Sequence, residues 1–295
     1  MSLQNDILVV KDLVNEHFSE EIINDIEWLN KGLTNRSYRV ILKSGQYVVR
    51  LPGYGTEKLI DREDEYISNK IACDLGIDSS LLFFDPKTGV KISEYITDAI
   101  TMSAETLRRE ENINMASNIF RKLHNSKINS MVDFNVIQKI DTYETYICEN
   151  KIDLYSDYGL VKRKIFEIAN KFLPKKNVTC HNDPLCENWV YGNNRMYLID
   201  WEYAGMNDQM WDIACYSIET DLDDNGDELL LSAYLVNEAK PQDRIRFLAN
   251  KVLVDFLWSL WGKSRIPASG DEMEEYARDR YDRMLQNLDK LQSVL

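Results

Sequence analysis

Between Val178 and Glu202 the chain can be laid out in only a few ways. Val178-Thr179-Cys180 is short and β-prone, and His181-Asn182-Asp183-Pro184 breaks it into a polar loop. Asn188 opens a second apolar stretch, Trp189-Val190-Tyr191. Gly192-Asn193-Asn194 is strong turn chemistry, and Met196-Tyr197-Leu198-Ile199 runs back. Such a hairpin returns Asp200 to the side of Asn188 and leaves Asp183 in the loop just past the first strand.

The polar residues so gathered read H-x-D-x-x-x-x-N from His181 to Asn188, with an acid twelve residues beyond the asparagine. That is the spacing of a kinase catalytic loop and its metal-binding aspartate. Mg²⁺ takes hard oxygen ligands, usually only one or two of them from protein and the rest from phosphate and water. Asn188 and Asp200 fit that role. Asp183 is then free to orient a substrate hydroxyl and accept its proton.

Composition limits the alternatives. With 295 residues, 44% apolar and 28% charged, the chain suits one large domain or two moderate ones with a real core. A net charge of −14 argues against nucleic acid binding through the general surface and is compatible with a cationic substrate. Cys73, Cys148, Cys180, Cys186 and Cys215 form no paired framework, so reduced thiols and a cytoplasmic location are expected. Cys180, His181 and Cys186 do not make a zinc spacing. No signal peptide is read at the start, and no apolar run approaches membrane-spanning length, so no membrane partner is expected. Met1-Ser2-Leu3 is set aside as a cloning remnant.

The first third reads mostly as strands. Arg36–Leu42 and Tyr47–Leu51 flank a hairpin connection, Asp61–Leu75 reads as a helix closed by Gly76, and Leu81–Phe84 and Val90–Tyr95 form another hairpin. Beyond residue 97 helices dominate: Ala104–Ser126, Tyr143–Glu149, Gly159–Phe172, Met210–Glu219, Gly226–Asn237, Pro241–Trp261 and Asp271–Leu291. The expected fold is α+β, protein-kinase-like and two-lobed. A small β-rich nucleotide-binding lobe spans 1–96, and a larger helical lobe for catalysis and acceptor binding spans 97–295.

The first lobe must then grip the nucleotide. Gly32-Leu33-Thr34-Asn35, just before the first long strand, can bring amides and a hydroxyl to phosphate oxygens, although a plain turn entering a hairpin has the same composition. Arg50 stands where a kinase places its phosphate-contacting cation, with Glu65 as its acidic partner and Glu63 as the runner-up; a solvated charged helix face is the other explanation of Asp61–Glu65. Glu94 and Ile96, at the lobe boundary, complete a nucleotide-binding set of Gly32, Thr34, Asn35, Arg50, Glu65, Glu94 and Ile96. Gly53–Lys58 lacks the third glycine of a nucleotide loop. Asp221–Gly226 imitates an EF-hand start, but Ser232 occupies its twelfth position. His124 reads as a packed or capping histidine.

The helix from Pro241 is apolar on two sides, with Val254, Leu257, Trp258 and Trp261 on one of them. Such a helix can simply be buried. Two tryptophans three apart with an acid nearby can also box a quaternary ammonium ion, through cation–π attraction of about 0.5–2 kcal/mol per desolvated contact.

The combination of Gly32-Leu33-Thr34-Asn35, Cys180-His181-Asn182-Asp183, Asn188, Leu198–Tyr203 and Trp258-Ser259-Leu260-Trp261 resembles the choline/ethanolamine kinase family. The likeness is greatest to the bacterial choline kinases that feed phosphocholine to cell-surface glycans. It extends from about Gly32 to Tyr281 and is weakest over 127–176. The resemblance implies an ATP- and Mg²⁺-dependent kinase making phosphocholine, with Asp183 as base and Asn188 and Asp200 holding Mg²⁺. It also implies that Tyr203, Glu219, Trp258 and Trp261 enclose the cationic head group, with Tyr281 or Tyr276 completing the box. The catalytic motifs are shared with aminoglycoside phosphotransferases, so ethanolamine, an aminoglycoside or another amino-alcohol stands as an alternative acceptor. A catalytically silent choline-binding module is the alternative from another class.

Overall fold

The computed structural model describes residues 3–18, 21–29, 35–53, 60–130, 132–174 and 177–295. Contacts divide the chain into two compact units, Met1–Ser103 with Leu185–Ala204, and Ala104–Pro184 with Gly205–Leu295. The sequence reading divides it once, after residue 96. In the structure the hairpin after the catalytic loop groups with the first unit.

The chain begins with a helix, α1 (Leu3–His17), followed by β1 (Ile23–Leu29), β2 (Arg36–Leu42) and β3 (Gln46–Leu51). Helix α2 (Arg62–Asp74) precedes β4 (Leu81–Phe84) and β5 (Lys91–Glu94), and β6 (Ile100–Thr101) is a short last strand. The five long strands form an antiparallel sheet in the order β1-β2-β3-β5-β4. Val10 and Val14 of α1 pack on Tyr38, Val40, Leu42, Val49, Leu51 and Ile92 of that sheet. Asp61 caps α2 by accepting from the amides of Glu63 and Asp64, and Gly76 closes it at φ 63°. Neither α1 nor β1 is foreseen from sequence. Exposed Leu8 and Val9 beside buried Val10 blur the helical period of α1.

The second unit starts with α3 (Ala104–Leu107), α4 (Glu110–His124), α5 (Val136–Glu149), α6 (Tyr158–Phe172) and β7 (Val178–Cys180). One helix expected over 104–126 is two, because Arg109 is extended and Asn112 Nδ2 donates instead to the Thr106 carbonyl. The chain returns to the first unit as β8 (Trp189–Gly192) and β9 (Arg195–Leu198), which with β6 make a three-stranded sheet. It finishes with β10 (Gly205–Asn207), paired to β7, and then α7 (Gln209–Glu219), α8 (Asp224–Leu235), α9 (Pro241–Ser269) and α10 (Asp271–Ser293). Helix α9 is the spine of this unit and packs against α5, α6, α7 and α10. It continues eight residues past the expected end at Trp261. Gly262 does not end the helix: a Cβ there would lie 2.8 Å from Tyr276 Cδ1 and 3.0 Å from Ala277 Cβ, so α10 packs directly on its bare backbone.

Candidate active site

The hairpin forms as its sequence dictates. Asn193 and Asn194 take φ of 49° and 58°, the two left-handed positions of a tight hairpin turn. Gly192 leaves room for the segment beneath, since a Cβ would stand 2.5 Å from Ile96 and 2.7 Å from the Thr97 carbonyl. The Ile199 amide donates to the Asn188 carbonyl at 2.9 Å, which brings Asp200 back to Asn188. Asp200 itself adopts φ 68°, a strained setting for a non-glycine residue.

Around Asp200 the first unit gathers a buried charge network. Arg50 Nη1 lies 2.5 Å from Glu65 and 3.0 Å from Asp200, and its Nη2 donates to the Gly89 carbonyl at 2.9 Å. Glu63 is exposed, so Glu65 is the partner. Arg62 reaches Glu65 at 2.6 Å and Glu202 at 3.2 Å. Asn35 Nδ2 donates to both Asp200 and Glu202 at 3.1 Å, and its Oδ1 accepts from the Gly53 amide. Burial works against the charge on Arg50, but Glu65, Asp200 and Glu202 outweigh it and hold the guanidinium protonated beyond the ordinary arginine value. Burial, with Asp200 close by, pushes the Glu202 carboxyl up to about 7. Asp200 keeps a quarter of its side chain exposed and Asn188 is buried at the other end of the hairpin; a carboxylate and an amide are the kinds of oxygen donor a hard cation takes.

Gly32 and Thr34 lie outside the described residues. Glu94 is exposed on β5, and Ile96 packs with Val190 and Tyr197. Tyr203 is buried in the turn from Trp201 to Ala204. Arg62 and Glu202 were not named as site residues from the sequence. The signal available was an arginine inside an otherwise acidic helix start, and an acid two residues past Asp200.

In the second unit the catalytic loop is held from beneath. Asp212 accepts the amides of His181 at 2.8 Å and Asn182 at 2.7 Å. Asn182 sits at φ 69°, fixed by Trp211 Nε1 on its carbonyl and Asn207 Nδ2 on its side chain, both at 2.9 Å. Asp183 follows half-buried, its amide donating to His181 Nδ1. Asp212 is a third residue that sequence reasoning missed. A lone acid in the apolar run Met210–Ile218 was its signal.

The aromatic residues gather on α9 and α10. The Trp258 and Trp261 rings meet edge to face at 6.1 Å, and Tyr276 meets Trp261 edge to face at 5.7 Å. Tyr281 stacks on Tyr155 at 3.7 Å and donates to Asp157. Glu219 pairs with Arg280 at 2.5 Å, and Arg280 covers the Tyr276 ring at 4.9 Å. Arg280 also reaches Asp255, which Arg283 grips with two hydrogen bonds. Burial, opposed by Arg280 and reinforced by Glu219 and Asp183, raises the Tyr276 phenol above its ordinary range. The pairing of Glu219 with Arg280 was not foreseen; Asp255, alone within an apolar helix, was the available hint of an internal cation.

The profile of the choline/ethanolamine kinase family matches residues 26–250. Protein LicA of Haemophilus influenzae is 30% identical over 273 residues, 88% of this chain and all of that protein. Ethanolamine kinase 2 of Mus musculus is 26% identical over 195 residues, 62% of this chain and 50% of that one. Among solved structures, a choline/ethanolamine kinase family protein from Mesorhizobium loti superposes with a TM-score of 0.83 at 31% identity, covering 99% of both chains. Choline kinase LicA from Streptococcus pneumoniae superposes with 0.80 at 29% identity, covering 96% of this chain and 98% of that one, and a LicA in complex with AMP superposes with the same values. A spectinomycin phosphotransferase, at 13% identity and a TM-score of 0.65, covering 95% of this chain and 98% of that one, shares the fold alone, which is protein-kinase-like.

Proposed function

Because the chain belongs to the choline/ethanolamine kinase family, we propose that it transfers the γ-phosphoryl group of ATP, with Mg²⁺, to the hydroxyl of choline. The observation that carries the choice of acceptor is the run of edge-to-face rings Trp258, Trp261 and Tyr276. A trimethylammonium head has no N–H to donate, so ring faces suit it better than hydrogen-bond acceptors. Glu219 supplies the counter-charge while accepting from Arg280, which uses acceptor capacity that a primary ammonium would want. Tyr203 and Tyr281 stay assigned to the same head group.

Asp183 aligns the hydroxyl and takes its proton late, from a loop that Asp212 holds rigid. Asn188 and Asp200 would hold Mg²⁺, whose part is to neutralise charge on the phosphoryl group as it transfers. Arg50, fixed by Glu65, adds a permanent positive charge. Asn35, with Gly32 and Thr34, serves the phosphates, and Glu94 and Ile96 serve the nucleotide. The AMP complex of a LicA supports a nucleotide site in a protein of this family. The reduced cysteines support a cytoplasmic location.

Ethanolamine is the second reading, favoured by the match to an ethanolamine kinase over 62% of the chain. Mg·ATP turnover of the purified protein with choline, ethanolamine and an aminoglycoside panel decides between them. Turnover with choline far above the rest is expected. Preference for ethanolamine would keep Asp183 and discard the ring argument, and absence of turnover with every acceptor would overturn the activity.

A further inference from the structure

Behind the catalytic loop the second unit buries a polar chain of three side chains. It draws one residue from each of three helices packed together: His124 at the end of α4, Asp212 in α7 and Tyr234 in α8. The His124 and Asp212 side chains have no exposed surface at all. His124 Nε2 lies 3.0 Å from Asp212 Oδ2, and its Nδ1 lies 2.8 Å from the Tyr234 hydroxyl. Phe120 stacks on the imidazole at 5.8 Å, and the Tyr234 ring meets it at a steep angle. The ring therefore has one orientation.

The direction of each hydrogen bond follows from what the groups can do. A carboxylate only accepts, so His124 Nε2 carries the proton that points to Asp212. Burial, with Cys180, Asp212 and Asp208 nearby, holds the Tyr234 phenol protonated above its ordinary range. In the neutral ring with its proton on Nε2, Nδ1 accepts and the Tyr234 O–H donates to it. Asp212 in turn has both oxygens on the loop, Oδ1 accepting from Asn182 N and Oδ2 from His181 N. The chain of donors thus runs from Tyr234 through His124 to Asp212 and meets the two backbone amides immediately before Asp183.

His124, Cys180 and Asp212 also offer ligand atoms within 4.8 Å of one another, as they would around a metal ion. The histidine nitrogens and the carboxylate oxygens are already engaged in hydrogen bonds. The Cys180 thiol lies 3.7 Å from the Asn207 carbonyl, and burial raises it well above the ordinary thiol range. The geometry is that of a brace.

We propose that His124 is a positioning residue for phosphoryl transfer: its Nε2–H fixes the Asp212 carboxylate in the orientation that accepts both loop amides, and so sets Asp183. The proposal rests on the reading of Asp183 as the base. A catalytic group displaced by a fraction of an ångström loses rate while ground-state binding survives.

The test compares His124→Gln with His124→Asn in the full chain. A glutamine amide nitrogen reaches about as far as Nε2 and can still donate to Asp212, whereas an asparagine reaches only the level of Nδ1. Two quantities are read: amide hydrogen exchange at His181 and Asn182 without ligands, and kcat and KM with choline and Mg·ATP. In His124→Asn those two amides should exchange about tenfold faster or more. Its kcat should fall about 10–100-fold, with both KM values within twofold of wild type. His124→Gln should recover the protection and most of the rate. Equal exchange and equal kcat in the two variants would reduce His124 to packing and overturn the proposal. If His124→Asn does not fold, Tyr234→Phe removes only the hydroxyl that orients the ring. It should speed exchange at the same two amides severalfold, and unchanged protection there would also overturn the brace. The exchange measurement needs no turnover, so failure of the choline reading would show separately, as a wild-type protein inactive on every acceptor.

Discussion

Glu202 is held at the edge of ionisation. Burial and the charge of Asp200 keep its proton on to about pH 7, although Arg62 and Asn35 both donate to the carboxylate. In the unfolded chain the same group loses its proton near 4.5. Between those values the folded protein binds the proton and the unfolded one does not, so this group's contribution to stability is complete below about pH 4.5 and is lost as pH rises through about 7. The full difference is about 3.5 kcal/mol at most, from about 1.4 kcal/mol per pKa unit. Glu202→Gln keeps a neutral side chain at every pH. Its stability relative to wild type should therefore climb from pH 5 to pH 7 and level off above, as measured by urea unfolding with metal chelated in both proteins. Parallel pH curves would mean that Arg62 keeps Glu202 ionised throughout. At this scale the sequence was partly readable. The Arg50–Glu65 pair and the Asn188–Asp200 hairpin follow from spacing and turn chemistry. Arg62 and Glu202 do not, because an ion pair 140 positions apart leaves no local pattern.

The contact between α9 and α10 shows how one backbone atom sets an aromatic arrangement. Gly262 lets α10 approach until Tyr276 meets the Trp261 ring. Gly262→Ala gains about 1 kcal/mol of helix propensity but puts a methyl group 2.8 Å from Tyr276, an overpacking that costs about 1–3 kcal/mol. The expected result is a protein destabilised by up to about 2 kcal/mol, with KM for choline raised severalfold and KM for ATP unchanged. Gly159→Ala, in α6 with nothing within 4 Å of the added methyl, is the control and should leave both KM values as they are. Equal behaviour of the two variants in acceptor kinetics would detach Tyr276 from the head group. Helix ends were the weakest part of the sequence reading for the same physical reason. The end expected at Trp261 falls just before Gly262, which tertiary packing uses as a contact while α9 runs on to Ser269. The short β10 escaped notice because three residues carry no period, and its pairing partner β7 lies 25 positions or more away.

At the scale of the whole molecule the −14 net charge sets a field rather than a contact. The two-unit fold with its catalytic hairpin was legible because strand, turn and helix signals agree along most of the chain; α1 and β1 were not, because their apolar residues are divided between buried and exposed faces. The charge was legible from the start, and its consequence is kinetic. An acidic surface draws a small cation toward the protein, and salt screens that attraction over about 10 Å at 0.1 M and about 30 Å at 0.01 M. Raising ionic strength from about 0.01 M to 0.2 M, at saturating Mg·ATP, should therefore lower kcat/KM for choline severalfold. A neutral isostere with a tert-butyl group in place of trimethylammonium feels the ring faces and the hydroxyl geometry but not the field. Its kcat/KM, lower from the outset, should change less than twofold over the same range. The ratio of the two substrates against ionic strength separates long-range attraction from the proposed local pairing of head group with Glu219, which lies against Arg280 and is shielded from bulk salt. A ratio independent of ionic strength would place the whole preference for the cation in the aromatic residues and Glu219, with the surface charge left as a determinant of solubility.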